Sequence, residues 1–171
     1  MALTLVAVSA NAAISFSNIN TPVGVTATVA GGSISFNASN FFFGSPAGVR
    51  SYTVTYTVTS SLGALTTAEI SNPGLLKNAW FTANIDHDGA FADKTWTAGA
   101  TASTLSPSEF VGLNDQASYN VILDISAKAN AGGYVNAKTT NVAYNEAVPE
   151  PASMAALALG FGLIAKRRNR K

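Results

Sequence analysis

Residues 51–59 read Ser-Tyr-Thr-Val-Thr-Tyr-Thr-Val-Thr, and few conformations accommodate such a run. Wound into a helix, a period-two pattern scatters its apolar groups around the axis and leaves no face to bury. Extended, the same residues put Tyr52, Val54, Tyr56 and Val58 on one side and Thr53, Thr55 and Thr57 on the other. A half-buried strand is the consequence. The grammar recurs: Val23, Val25, Ala27 and Val29 alternate with Gly24, Thr26 and Thr28, and Ile34 and Phe36 continue it beyond Gly31-Gly32, predicting a hairpin. Tyr119, Val121, Leu123 and Ile125 alternate in the same way. Further strands are expected over 64–70, 78–85, 95–98, 119–127 and 134–144. Turns are expected at Ser45-Pro46-Ala47-Gly48, Asn72-Pro73-Gly74, Asp88-Gly89 and Gly132-Gly133. Ser106-Pro107-Ser108-Glu109 has the capping residues of one short helical turn. The fold class that follows is all-β, an antiparallel β-sandwich of Ig-like or jelly-roll type over residues 14–147, with a closed barrel as the alternative.

Composition narrows what such a domain does. Charged residues are 11% of the chain, about half the usual share, and five of the ten basic ones crowd into 166–171. Residues 14–148 hold five basic side chains against eight acidic ones, so the body lacks the basic face that nucleic acid requires. Cysteine is absent, which excludes disulfides and leaves no unpaired thiol to an oxidising compartment.

Both ends read as addresses. In residues 1–13 an apolar run leads into Ala10-Asn11-Ala12, the small-residue pattern of a signal-peptide cleavage site. No Lys or Arg precedes Arg50, so a basic leader is expected upstream of Met1. At the other end Val148-Pro149-Glu150-Pro151 breaks any regular element and begins an extended linker. An uncharged stretch over 152–165 follows, then Lys166, Arg167, Arg168, Arg170 and Lys171. As a hydrophobic helix those fourteen residues span about 21 Å, short of the ~30 Å hydrocarbon core. A brief, marginal anchor is expected, with the basic cluster cytoplasmic and the body outside.

Together the Pro-Glu-Pro box, the short Ala/Gly/Leu-rich span and the basic terminus over 148–171 resemble the PEP-CTERM sorting signal. The resemblance implies recognition by an exosortase, a membrane protease-transpeptidase that cleaves near the box. It implies a bacterium with an outer envelope and exopolysaccharide. For the domain in front it implies no activity.

Candidate sites within that domain are sparse. Asp86-His87-Asp88-Gly89 contains the only His and offers two carboxylates at alternate positions, a partial calcium loop without the remaining ligands of an EF-hand. Its plainer reading is a solvated hairpin tip. One His without Cys does not make a zinc site. There is no G-x-S-x-G elbow, and no carboxylate pair stands out, so the chain is not expected to be an enzyme. Trp80 and Trp96 flank the Asp-rich loop and are candidates for stacking on sugar rings, as is Phe41-Phe42-Phe43; the alternative is that these aromatics turn into the core. The expected function is a secreted structural or adhesive protein of the cell surface, biofilm or exopolysaccharide matrix, held transiently at the inner membrane. A carbohydrate-binding module, with calcium as its one conceivable cofactor, is the alternative.

Overall fold

A computed structural model describes residues 14–45, 48–61 and 63–147. The signal segment, the sorting tail and the helix expected over 152–165 lie outside these residues. Among the described residues no helix is long and apolar enough to cross a membrane.

The domain is all-β, with two antiparallel sheets closing on one core. Its strands are β1 (Ile14–Asn20), β2 (Val25–Ala30), β3 (Ser33–Ala38), β4 (Phe42–Gly44), β5 (Arg50–Ser60) and β6 (Leu65–Ser71). They continue with β7 (Leu75–His87), β8 (Ala90–Ala98), β9 (Ser103–Thr104), β10 (Glu109–Gln116), β11 (Ser118–Asn136) and β12 (Thr139–Glu146). One sheet runs β1-β5-β11-β7-β8, with β4 added to β11 and β9 to β7; the other runs β10-β6-β12-β3-β2.

The alternation read in the sequence is what fills the space between the sheets. Tyr52, Val54, Tyr56 and Val58 of β5 are buried, as are Tyr119, Val121, Leu123 and Ile125 of β11. Opposite them lie Ile34 and Phe36 of β3, Ala68 and Ile70 of β6, and Val142 and Tyr144 of β12. Gly31, at φ +57°, is the first of two residues between β2 and β3, where a II′ turn needs a positive φ. Asp88 and Gly89, both with positive φ, make the tight turn between β7 and β8.

Several expectations change. Gly132-Gly133 is not a turn: β11 runs through it for 19 residues, and the register against β7 shifts between Ala129 and Tyr134. The expected 134–144 strand is thereby divided, its start joining β11 and its remainder forming β12. No helical turn forms after Ser106; Glu109 instead opens β10, and its carboxylate lies 3.0 Å from Lys94 Nζ. The only helical piece among the described residues is the 3-10 turn Ser39–Phe41. Register shifts in β1, in β10 and where β7 meets β11 coincide with Asn18, Asp115 and Asn78, all at positive φ. Asn and Asp occupy that region at the least cost after glycine.

The shift in β11 depends on glycine. A Cβ on Gly133 would sit 2.4 Å from the carbonyl oxygens of Lys77 and Asn78, which are backbone atoms unable to withdraw. Gly133→Ala is expected to destabilise the domain by about 2 kcal/mol or more, as overpacking does. Gly112→Ala, where a Cβ meets nothing within 4 Å, serves as the control. Urea midpoints of the two variants against the parent chain check this.

Candidate functional site

At the β7–β8 turn the acidic residues are committed to the backbone. Asp86 Oδ1 accepts from Gly89 N at 2.7 Å, and Asp88 Oδ2 accepts from Asn120 N at 2.8 Å. Each carboxylate thus steadies the tip or ties it to β11. Among the described residues no group of three or more His, Cys, Asp or Glu side chains is placed to hold a metal ion.

The tip itself, Asp88-Gly89, is exposed, but His87 is not part of it. It is the last residue of β7 and shares the inward parity of Ala83 and Ile85, so its ring is fully buried. Nε2 lies 2.9 Å from Tyr144 Oη, and Tyr144 Oη lies 2.6 Å from Tyr56 Oη. Tyr119 packs edge-on against the imidazole, with centroids 5.9 Å apart. One hydrogen-bonded chain therefore crosses the core, from β5 and β7 in one sheet to β12 in the other. Beside it Tyr52 Oη and Asn72 Nδ2 both reach Thr140 Oγ1, at 3.4 and 3.2 Å.

Burial keeps all these groups neutral. It pushes Tyr52 up to about 12 and raises Tyr56 and Tyr144 further. It pulls His87 down to about 4; the Ala90 backbone and the Asp86 and Asp88 carboxylates act weakly the other way. Nδ1 has no well-aligned hydrogen-bond partner among the described residues. A neutral, water-excluded imidazole between two phenols braces the sheets. It is poorly placed to take a proton from an outside substrate.

The candidate aromatics separate by parity. Trp96 is a correction: it points inward from β8 at 6% exposure, donates Nε1 to Pro107 O at 3.2 Å and packs 5.7 Å from Phe81. It cannot stack on an external ring. Trp80 faces out from β7 and is half-buried, between Lys128 of β11 and Thr97 of β8. In Phe41-Phe42-Phe43 the outer two are buried and Phe42 alone is exposed, with Lys138 Nζ 4.8 Å from its ring centre.

Around Trp80, registers across four strands build an outward face. Thr53, Asp124, Asn84 and Asp93 form one row, with Thr53 Oγ1 donating to Asp124. Ser51, Ser126, Thr82 and Thr95 form the next, and the two Thr hydroxyls lie 3.1 Å apart. Ile122, Asp86 and the exposed Phe91 continue it on the far side. Neither these rows nor the buried chain was visible in the sequence. Both need partners fixed by strand register, and the one local clue was a Tyr recurring at inward positions, whose hydroxyl must find a mate.

Comparison with known proteins identifies the C-terminal tail and little else. Residues 147–171 match the family model of the PEP-CTERM protein-sorting motif. The motif marks the chain for export and for processing by an exosortase. The residues expected to be cut or read there (Val148, Pro149, Glu150, Pro151 and the basic terminus) lie outside the described part, as do Ala10 and Ala12. Ala147, the first residue of the match, donates its N–H to Ala64 O at 2.8 Å. No curated protein matches the sequence. Among solved structures, TmCBM61 in complex with β-1,4-galactotriose is similar at 9% identity and a TM-score of 0.33, covering 81% of this chain and 90% of that one. A family two carbohydrate esterase from Cellvibrio japonicus is 16% identical at a TM-score of 0.33, covering 82% of this chain and 36% of that one. A family 29 carbohydrate-binding module is 9% identical at a TM-score of 0.24, covering 78% and 87%. At such identities and scores these likenesses carry no information about what this chain binds.

The buried imidazole has a pH consequence. Its folded pKa lies below the unfolded value, so the unfolded chain binds more protons through the interval from 6.5 to about 4. Stability is complete above 6.5 and falls as pH drops through that window, by about 3 kcal/mol. His87→Phe is expected to flatten the fall, measured as urea midpoints from pH 7 to 4. Tyr144→Phe is expected to cost about 2 kcal/mol, more than Tyr56→Phe, because it leaves both Tyr56 and His87 without a partner.

Proposed function

We propose that this chain is a secreted surface protein whose sandwich acts by contact within the extracellular or biofilm matrix, without catalytic turnover. The tail over 148–171 would hold it briefly at the inner membrane through residues 152–165. An exosortase-type protease would then cut near Pro149–Pro151. The distribution of polar groups carries this reading: the only imidazole and the hydrogen-bonded tyrosines are sealed in the core, while the outer sheet face presents Thr, Ser, Asn and Asp in register. Such a face makes many weak contacts over an extended surface and has no focus for a reaction. The strand connections favour the jelly-roll form over the Ig-like one. Apart from the β2–β3 and β7–β8 hairpins, the links between major strands cross from one sheet to the other.

One observation favours a second reading, carbohydrate binding. Trp80 sits on the same outer face as the Asn84, Asp93 and Asp124 row, so an apolar ring lies near hydrogen-bonding groups on a sheet surface. Calcium at Asp86 and Asp88 would belong to this reading. Affinity electrophoresis in host exopolysaccharide, comparing the parent chain with Trp80→Ala and Asn84→Ala, separates the two. Retardation lost in both variants supports sugar recognition, whereas mobility unaffected by polysaccharide or by the substitutions favours contact with other matrix components. A rise in melting temperature on adding calcium would bring in the turn.

For the sorting step, intact mass of protein recovered from medium and from envelope is the direct test. Chains lacking the terminal basic cluster are expected, with the new end near Pro149–Pro151. Glu150→Ala is expected to leave uncut chains in the membrane fraction. Native cytosolic chains retaining Lys171 would defeat the proposal.

A further inference from the structure

The edges of the two sheets are not alike. In β1 the ladder is broken by the shift between Ser17 and Asn20, with Asn18 at positive φ. In β10 it is broken between Gly112 and Gln116, with Asp115 at positive φ. On β8 Asp93 and Lys94 put charge on the edge, and Lys94 reaches across to Glu109. Bulges and charges are the usual means by which an edge strand is kept from recruiting another. β2 has neither. Its six residues, Val-Thr-Ala-Thr-Val-Ala, contain no charge and no Pro, and they pair with β3 in unbroken register. Val29 is 46% exposed.

The direction of the free backbone groups follows from the hydrogen bonds. Ala38 N donates across to Lys138 O, so the even-numbered residues of β3 face β12 and its odd-numbered ones face β2. Ser33, Ser35 and Asn37 are opposite Ala30, Thr28 and Thr26, which therefore use their N–H and C=O on β3. Val25, Ala27 and Val29 turn theirs outward. Val25 N is taken by Pro22 O, and among the described residues no strand covers Ala27 or Val29.

The sequence of the edge indicates its partner. Val25-Thr26-Ala27-Thr28-Val29 reads the same in both directions. Laid antiparallel on itself about Ala27, it sets Val25 opposite Val29, Thr26 opposite Thr28 and Ala27 opposite Ala27. Each side chain meets its own kind, with no charge to repel. Thr–Thr and Val–Val cross-strand pairs are favourable. We propose that β2 pairs with β2 of a second copy of this chain, joining two five-strand paths into one continuous sheet around a two-fold axis at Ala27. The axis brings the Ala27 N–H of each copy to the Ala27 carbonyl of the other, and Val29 N–H to the opposite Val25 carbonyl. An isologous contact of this kind closes on itself and stops at a dimer.

The test uses the full chain in mild detergent, with mass read by sedimentation velocity. The parent chain is expected to be a dimer. Ala27→Pro removes an outward donor and none of the β2–β3 ladder, and is expected to give monomer. To separate loss of pairing from loss of fold in that variant, two doubly substituted chains complete the experiment. Thr26→Lys with Thr28→Lys sets like charges opposite each other across the axis, and Thr26→Glu with Thr28→Glu does the same with the other sign. Each alone is expected to be monomeric with an unchanged β-sheet circular dichroism spectrum, and an equimolar mixture to regain the dimer. A monomeric parent, a dimer that survives Ala27→Pro, or a mixture that stays monomeric would each overturn the proposal.

Discussion

The ladder joining β11 to β5 on one side and to β7 on the other fixes the position of almost every other part. Its register places Tyr119 across from Val58, Val121 between Tyr56 and His87, and Leu123 between Val54 and Ile85. These residues all point into one core. A slip of one residue would turn the whole inward set of β11 to water, since side chains alternate with period two. It would also move Tyr56 and His87 relative to each other and open the chain through Tyr144. That the strand continues for 19 residues across its register shift depends on the glycine pair, which takes up the shift and lets Tyr134 through Asn136 pair with β4 as well as β7.

Much of this architecture is legible along the chain, and the failures have a common cause. Strands whose outer face is Thr and whose inner face is Val, Ile or Tyr announce themselves, as β5 and the first part of β11 do. β10 does not: Glu-Phe-Val-Gly-Leu-Asn-Asp-Gln carries an outward Phe110 and a glycine, because it is an edge strand with little need of a clean outer face. Gly132-Gly133 has the composition of a turn but acts as a bulge, and only the strand beside it decides between the two. Ser106–Glu109 offers local helix-start chemistry, yet pairing of Glu109 with Ile70 gives its backbone a better partner than an isolated helical turn.

The candidate sites divide along the same line. The Asp88-Gly89 turn is local chemistry and reads correctly. The inward direction of His87 is not local, because it depends on β7 keeping its alternation up to its last residue. Trp96 and Trp80 look equivalent in the sequence and differ only in parity, which the β7–β8 register settles. The Tyr56–Tyr144–His87 chain joins residues 88 and 57 positions apart, so no window along the sequence contains it.

A chain without cysteine cannot cross-link its sheets covalently, and the buried hydrogen-bonded chain supplies a polar tie between them instead. Such a tie is worth having only when its members are matched, since each unmatched buried group costs about 1–3 kcal/mol. It therefore also makes the packing of the two sheets specific, favouring the arrangement in which Tyr144 meets both partners. The sparse charge elsewhere follows from the same economy of means. Thr and Ser keep the outer faces wettable and suit the strand, so few Lys and Glu are needed for solubility. Edge protection then falls to bulges wherever charge is scarce. β1 and β10 have bulges and β2 has none, so the low charge that suits an exported β-domain also leaves one edge able to extend its sheet.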